Sequence, residues 1–178
     1  MARHRGGRDD GRSGGGSRRK EEGGDNFDEI VVRVNRSAKV MKGGRRFSFS
    51  TLVIVGNRGG RVGYGYGKAR SVPGAMEKGV KEARKRLINV PLVGTTIPHT
   101  VRSHFESSTV FLIPAAPGTG IVAGKAVRAA MELAGIKDVL TKVYGSTNAV
   151  NVVKATFQGL ESMRSRQTVE NLRGVSLT

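Results

Sequence analysis

Residues 33–70 read RVNRSAKVMKGGRRFSFSTLVIVGNRGGRVGYGYGKAR. Ten of the chain's 31 Lys and Arg fall in these 38 positions, and no Asp or Glu does. The stretch also holds strand-like runs separated by two Gly-rich turns. A segment this cationic has no internal counter-charge, so its charge is balanced from outside. A phosphate backbone is the commonest source of that balance.

Working outward, residues 27–37 alternate as a strand. Ile30, Val32 and Val34 point one way, and Val31, Arg33 and Asn35 the other. Residues 40–46 form a turn whose Gly43-Gly44 pair permits positive φ and close backbone approach to a ligand. Lys39, Lys42, Arg45 and Arg46 flank that pair. FSFSTLVIVG, residues 47–56, is the strongest strand in the chain, β-branched and aromatic throughout. After Asn57-Arg58-Gly59-Gly60, a third strand runs over 61–70. It has Val62, Tyr64, Tyr66 and Lys68 on one face and Gly63, Gly65 and Gly67 on the other. A face of alternate glycines admits two readings: another backbone approaches it, or it is a bulged or edge strand under the next helix. Ser71 and Pro73 open that helix. Its apolar stripe is Val72, Met76, Val80, Ala83 and Leu87. Lys78, Lys81 and Lys85 line another face, with more cations than Glu77 and Glu82 can balance. Three strands followed by one helix make a compact α+β unit.

The 178-residue chain carries a formal net charge of +17. Residues 27–90 supply +11 of it, from fifteen Lys/Arg against four Asp/Glu. The middle of the chain, not the tail, is therefore the basic part. Such a balance implies nucleic acid first and an anionic membrane surface second. No run approaches the ~18 apolar residues of a membrane span. No apolar leader segment opens the chain, so we expect no export. The absence of cysteine excludes disulfides and thiolate zinc sites, and fits a reducing cytosol. Residues 1–26, rich in Gly, Arg and Ser, have no hydrophobic period and are expected to be disordered.

Val90-Pro91 opens a candidate boundary. The second half reads strand (95–106), strand (109–114), helix (119–134, closed by Gly135), strand (138–144) and helix, capped by Ser146 or Thr147. From about Arg164 no period is evident. Gly118-Thr119-Gly120-Ile121-Val122-Ala123-Gly124-Lys125 invites a nucleotide-binding reading. The Walker spacing fails, because Thr119 stands where Gly is needed and Ala126 where Ser or Thr must reach the metal. A loose G-x-G-x-x-A does match, yet Asp138 precedes the next strand, so no acid is placed for a ribose. We read the segment as a tight strand-to-helix turn, one able to receive an RNA phosphate at the helix N-terminus. His99 and His104 share a strand-like run on opposite faces, with no cysteine and no acidic cluster beside them, so neither a metal site nor a catalytic pair is expected. No residue is assigned to catalysis and no cofactor is expected. Among the alternating aromatics Phe47, Phe49, Tyr64 and Tyr66, most are assigned to the core and one Tyr to the surface.

VNRSAKVMKGGRRFSF, VGYGYGKARSVPGAMEKG, GTGIVAGKAVRAAMELAGI and YGSTNAVNVVKAT closely resemble, in the same order, blocks of the family of the fifth protein of the bacterial small ribosomal subunit. The resemblance spans residues 27–163. It implies a disordered tail (1–26), a domain like a double-stranded-RNA-binding domain with a three-stranded sheet plus helix (27–90), a β-α-β-α domain (91–163) and a C-terminal extension (164–178). It implies a cytoplasmic, structural, rRNA-binding ribosomal protein that is neither an enzyme nor a homo-oligomer. Its implied partners are the small-subunit (16S) rRNA and the fourth and eighth small-subunit proteins. The path by which mRNA enters lies nearby, and the family stabilises the head–body arrangement and influences translational accuracy. By resemblance, Lys39, Val40, Lys42, Gly43, Gly44 and Arg45 form the rRNA-contacting loop near the spectinomycin site. Gly118, Thr119, Gly120, Lys125 and Arg128 match the side that faces the fourth protein. The chain departs from the family's usual residues at Lys125, commonly Gly, and at Ala116-Pro117, commonly Ser and an acid.

Joining both lines, the rRNA contacts are assigned to Arg33, Arg36, Lys39, Lys42, Gly43, Gly44, Arg45, Arg46, Arg58, Arg61, Lys68 and Arg70. The rival readings are an RNA chaperone or double-stranded-RNA binder outside the ribosome, and a nucleotide-binding enzyme at Gly118 to Lys125.

Overall fold

The computed structural model describes residues 27–176. The tail assigned to residues 1–26 lies outside the described residues. In chain order the elements are β1 (Asp28–Met41), β2 (Gly44–Gly56), β3 (Arg61–Ala69), α1 (Val72–Lys85), β4 (Leu87–Asn89), β5 (Val101–Phe105), β6 (Ser108–Pro114), β7 (Ile121–Val122), α2 (Lys125–Ala134), β8 (Val139–Gly145), α3 (Ala149–Ser162) and α4 (Arg166–Arg173). Two four-stranded sheets result, ordered β1-β2-β3-β4 and β5-β6-β8-β7. The fold is α+β.

β2 is the central strand of the first sheet, and residues 50–56 are all buried. Its β-branched residues serve both faces, as period 2 requires. Val53 and Val55 face α1, together with Val31 and Ala83. Leu52 and Ile54 face the other way, into a cluster shared with Val32, Val62, Val127, Leu133, Val153 and Phe157. The two halves therefore share one interior. Tyr64 meets Phe157 edge-on at 4.7 Å, and Arg58 N and Gly60 N donate to the Leu133 and Ala134 carbonyls at 2.9 Å.

α1 lies directly on the glycine face of β3. A Cβ placed on Gly65 would collide with the Gly79 carbonyl and stand 2.6 Å from Ala83 N. One on Gly67 would stand 2.5 Å from Gly79 N and collide with the Ala75 carbonyl, and one on Gly63 would collide with the Ala83 carbonyl. The helix answers with its own small residues: Ala75, Gly79 and Ala83, four apart, are its buried positions. Of the two readings of the glycine triplet, the first holds: the approaching backbone is that of the following helix, whereas β3 is neither bulged nor an edge strand, since it pairs in unbroken register with β2 on one side and β4 on the other. The inward stripe is thus offset from the larger apolar residues expected to form it, of which Val72, Met76 and Val80 are only half-buried.

Other expectations need correction. The first sheet has four strands, not three. α1 stops at Lys85, and Leu87–Asn89 pairs with β3 through Val62↔Ile88. A register shift between Val31 and Arg33 breaks the simple alternation of β1. Val32 is buried and Val34 is 45 % exposed, so the two do not share one buried face. The turn after β1 is only Lys42-Gly43, because cross-strand pairing holds the chain extended as far as Met41↔Gly44. Residues 95–100 form no strand, leaving β5 at Val101–Phe105. Residues 119–124 are not helical: Gly118 and Gly120 have φ of +90° and +76°, and Ile121–Val122 pairs in parallel with β8. Asn148, rather than Ser146 or Thr147, caps α3 by accepting from Val150 N at 3.4 Å. Beyond residue 164 the chain forms α4, which has no buried residue; its helix is local, with Ser165 accepting from Thr168 N at 3.2 Å.

Two measurements test this packing. Gly65→Ala forces backbone apart from backbone, and should lower the unfolding free energy in urea by at least about 2 kcal/mol. Gly59→Ala, whose Cβ would meet nothing closer than 3.5 Å, should stay within about 0.5 kcal/mol. Equal stability of the two variants would refute the close seat. Among the described residues, the Thr51 hydroxyl is the one buried side-chain polar atom without a hydrogen-bond partner. Thr51→Val keeps the shape and removes the desolvated hydroxyl, so it should raise stability by about 1 kcal/mol.

Candidate nucleic-acid interface

β3 pairs with β2 only from Phe49↔Ala69 onward, whereas β1 and β2 remain paired to Met41↔Gly44. The first hairpin therefore extends beyond its sheet as a two-stranded arm. Residues 36–47 are all exposed. Gly43 has φ +89°, a value that residues with a Cβ resist, and this permits the two-residue turn. Arg36, Lys39, Lys42, Arg45 and Arg46 all stand on the arm.

Register decides the electrostatics. Lys39 is directly opposite Arg46, a like-charge cross-strand pair that works against the hairpin by roughly 0.2–1 kcal/mol. The Arg36 guanidinium stacks 3.7 Å over Phe47, which returns about 0.5–1 kcal/mol at an exposed site. These local contributions nearly cancel. No acid lies anywhere in 33–70, so the arm's charge remains available to a polyanion.

The other assigned cations divide into two groups. Lys68 and Arg70, both exposed, lie at the end of β3 near the base of the arm, where Lys68 pairs with Ser50. Lys78 of α1 donates to the Lys68 carbonyl at 3.4 Å, while the exposed Lys81 and Lys85 lead away along the helix toward the opposite end of the sheet, since Ala75 seats on Gly67 and Ala83 on Gly63. Arg33 is exposed on β1 and donates to Asn35 Oδ1 at 3.0 Å. Arg58 and Arg61 stand at the opposite end of the sheet, in and after the β2–β3 turn. Arg58, at φ +53°, is ion-paired with Asp28 at 2.9 Å. The sequence grouped these two with the arm; the hairpin direction separates them.

Gly118, Thr119 and Gly120 do not form the phosphate-receiving turn that their spacing suggested. The Asp138 carboxylate accepts from Gly118 N at 3.0 Å and Gly120 N at 2.9 Å. The Thr95 hydroxyl, then the Gly120 and Gly118 amides and the Lys137 charge, hold this carboxyl below its ordinary value against the opposing effect of burial. The turn's anion-seeking amides are thus filled by the protein's own carboxylate. Because α2 begins only at Lys125, the turn is not a helix N-terminus, and its Gly118 and Gly120 amides are already bonded to Asp138 rather than open to a phosphate. Lys125 and Arg128, both exposed, occupy the first turn of α2. Arg128 rims a surface groove with Arg58, Glu132 and Lys137, bringing together two residues assigned to different partners.

His99 lies in a loop, where its Nε2 accepts from Arg164 N at 3.2 Å, and His104 is exposed on β5. Of the four alternating aromatics expected mostly in the core, none is fully buried: Phe49 and Tyr64 are half-buried, and Phe47 and Tyr66 are exposed, at 39 % and 49 %, because Phe47 stands on the arm beyond the third strand.

Residues 27–91 match the family model described as ribosomal protein S5, N-terminal domain. Residues 103–173 match ribosomal protein S5, C-terminal domain. The chain belongs to the ribosomal protein S5 family. Small ribosomal subunit protein uS5 of Rubrobacter xylanophilus is 53% identical over 156 residues, covering 88% of this chain and 78% of that protein. Its counterpart in Chloroflexus aurantiacus is 55% identical over 150 residues, 84% of each. Within this S5-family chain, the N-terminal match contains the whole arm, and the C-terminal match contains Asp138 with the turn it fills.

The Asp138 carboxyl has a lower proton affinity in the folded chain than its ordinary value of 3.8. Its charge therefore stabilises the fold fully above pH 3.8, and that contribution disappears as pH falls through the depressed folded value. Asp138→Asn should lower the urea midpoint at pH 7, and the gap to wild type should close as pH drops below 3.8. A gap of constant size across that range would show that the charge contributes nothing.

Proposed function

We propose that this chain is a structural, non-enzymatic protein of the small ribosomal subunit in the cytoplasm, and that the β1–β2 arm grips rRNA. The observation that carries the reading is the Lys39–Arg46 cross-strand pair at the end of an exposed arm without an acid. Such a pair is self-opposing alone and becomes favourable once a phosphate backbone lies against it. Arg36, Lys39, Lys42, Arg45 and Arg46 make the principal phosphate contacts, with Arg33, Lys68 and Arg70 supporting at the base. The Gly43-Gly44 turn lets the RNA backbone come close. rRNA helices are engaged by shape more than by base sequence. Arg58 and Arg61, at the far end of the sheet, contact a separate segment of rRNA.

On this reading residues 27–90 are the main RNA-binding unit. Residues 91–163 dock against neighbouring small-subunit proteins, the fourth and eighth, and residues 164–178 form an extension. Gly118, Thr119, Gly120, Lys125 and Arg128 present the face toward the fourth protein, in a shape fixed from within by Asp138. A position near the path of incoming mRNA, a steadying of head against body and an influence on translational accuracy follow from the same family resemblance.

Replacing Lys42, Arg45 and Arg46 together by Ala removes three phosphate-facing charges. The log–log salt dependence of binding to a small-subunit rRNA fragment should flatten by about two to three units. An unchanged slope, measured by fluorescence anisotropy across a salt series, would remove the arm from the interface.

A further inference from the structure

The second sheet has one covered face and one open face. Val101, Ser103, Val110, Leu112 and Val139 are buried on the side of α2 and α3. On the other side, register aligns the outward residues in rungs across the strands. His104, Thr109 and Tyr144 form one rung, and Arg102, Phe111 and Lys142 the next. A third rung, Ile113 with Leu140 and Val122, is apolar. Phe111 and Tyr144 meet edge-on at 5.3 Å, and the Arg102 guanidinium stands 5.3 Å from the Phe111 centroid. Tyr144 remains 55% exposed.

We propose that this open β5–β6–β8 face is a binding platform for single-stranded RNA, with Tyr144 stacking on a base and Arg102 and Lys142 holding phosphates on either side of Phe111. The charge of the face selects the occupant. Its central rung is cation, ring, cation, and none of the three rungs contains a carboxylate. Glu106, in the adjoining β5–β6 turn, is held toward α3, where its Oε2 accepts from Asn151 Nδ2 at 3.0 Å. A partner must therefore bring negative charge and flat apolar surface together. Unpaired RNA supplies phosphates and π-faces in one strand, whereas duplex RNA keeps its bases stacked inside. Stacking reads no base edge, so the site tolerates sequence. It is separate from the arm, and it does not depend on the arm's role.

The full chain is titrated with a fluorescein-labelled oligouridine of about twelve nucleotides and with an RNA duplex of about sixteen base pairs. Tyr144→Ala should weaken oligouridine binding about tenfold and leave duplex binding unchanged. Arg102→Ala with Lys142→Ala should flatten the oligouridine salt slope by about 1.4 units. The Lys42/Arg45/Arg46 triple variant should keep the Tyr144-dependent part of oligouridine binding, so that failure of the arm and failure of the platform give different results. Ultraviolet crosslinking of oligouridine to the wild-type chain, followed by peptide mapping, tests the same point without any substitution. Crosslinks at Phe111 or Tyr144 are expected. Crosslinks confined to residues 33–70, or an oligouridine affinity indifferent to Tyr144→Ala, would overturn the proposal and leave the face to a protein partner.

Discussion

The structure depends on α1 touching β3 backbone to backbone. Gly63, Gly65 and Gly67 leave the strand without side chains on one face, and Ala75, Gly79 and Ala83 thin the helix where it meets them. Interiors are dense enough that one added carbon must displace something, and here the neighbouring atoms belong to main chain that cannot rotate aside. This contact fixes α1 to one face of the first sheet. The opposite face, with Leu52, Ile54, Val62 and Tyr64, is then left to α2 and α3. The sheet becomes a middle layer, and both halves of the chain depend on it.

The same rigidity lets the arm be unstable in isolation. Among the described residues no third strand pairs with the hairpin beyond Phe49 and none of its side chains there is buried, and it carries Lys39 against Arg46. A free two-stranded ribbon is marginal in water. This one continues from a sheet anchored on both faces, so its base is already ordered. The entropy of ordering the backbone that presents these five cations is met during folding. Asp138 does comparable work in the second half, where an internal anion sets the Gly118–Gly120 turn in advance.

Much of this was legible in the residues. FSFSTLVIVG is β-branched and aromatic in a way that only a buried strand suits. The concentration of cations in 33–70 marked the most basic part of the chain, because charge without acid is visible without coordinates. What the sequence hid was relational. Arg58 and Arg61 look like part of the same basic stretch until the hairpin direction sends them to the other end of the sheet. Leu87–Asn89 continues the apolar spacing of α1, and only its pairing with β3 makes it a strand. GTGIVAGK resembles a phosphate loop because glycines at that spacing do expose amides. That Asp138, eighteen residues beyond Gly120, occupies those amides is a tertiary fact with no local signature. α4 escaped notice because it buries nothing, and hydrophobic period is the signal by which helices are found.

The shared interior has a mechanical consequence. Val32 and Ile54 from one half and Val127 and Phe157 from the other belong to a single cluster, and amides of the β2–β3 turn bond to carbonyls at the end of α2. The two matched segments of the family are thus packed directly against one another. A cavity opened in this interior by a substitution in either segment is therefore felt by both, and the two are expected to unfold in one step rather than in turn.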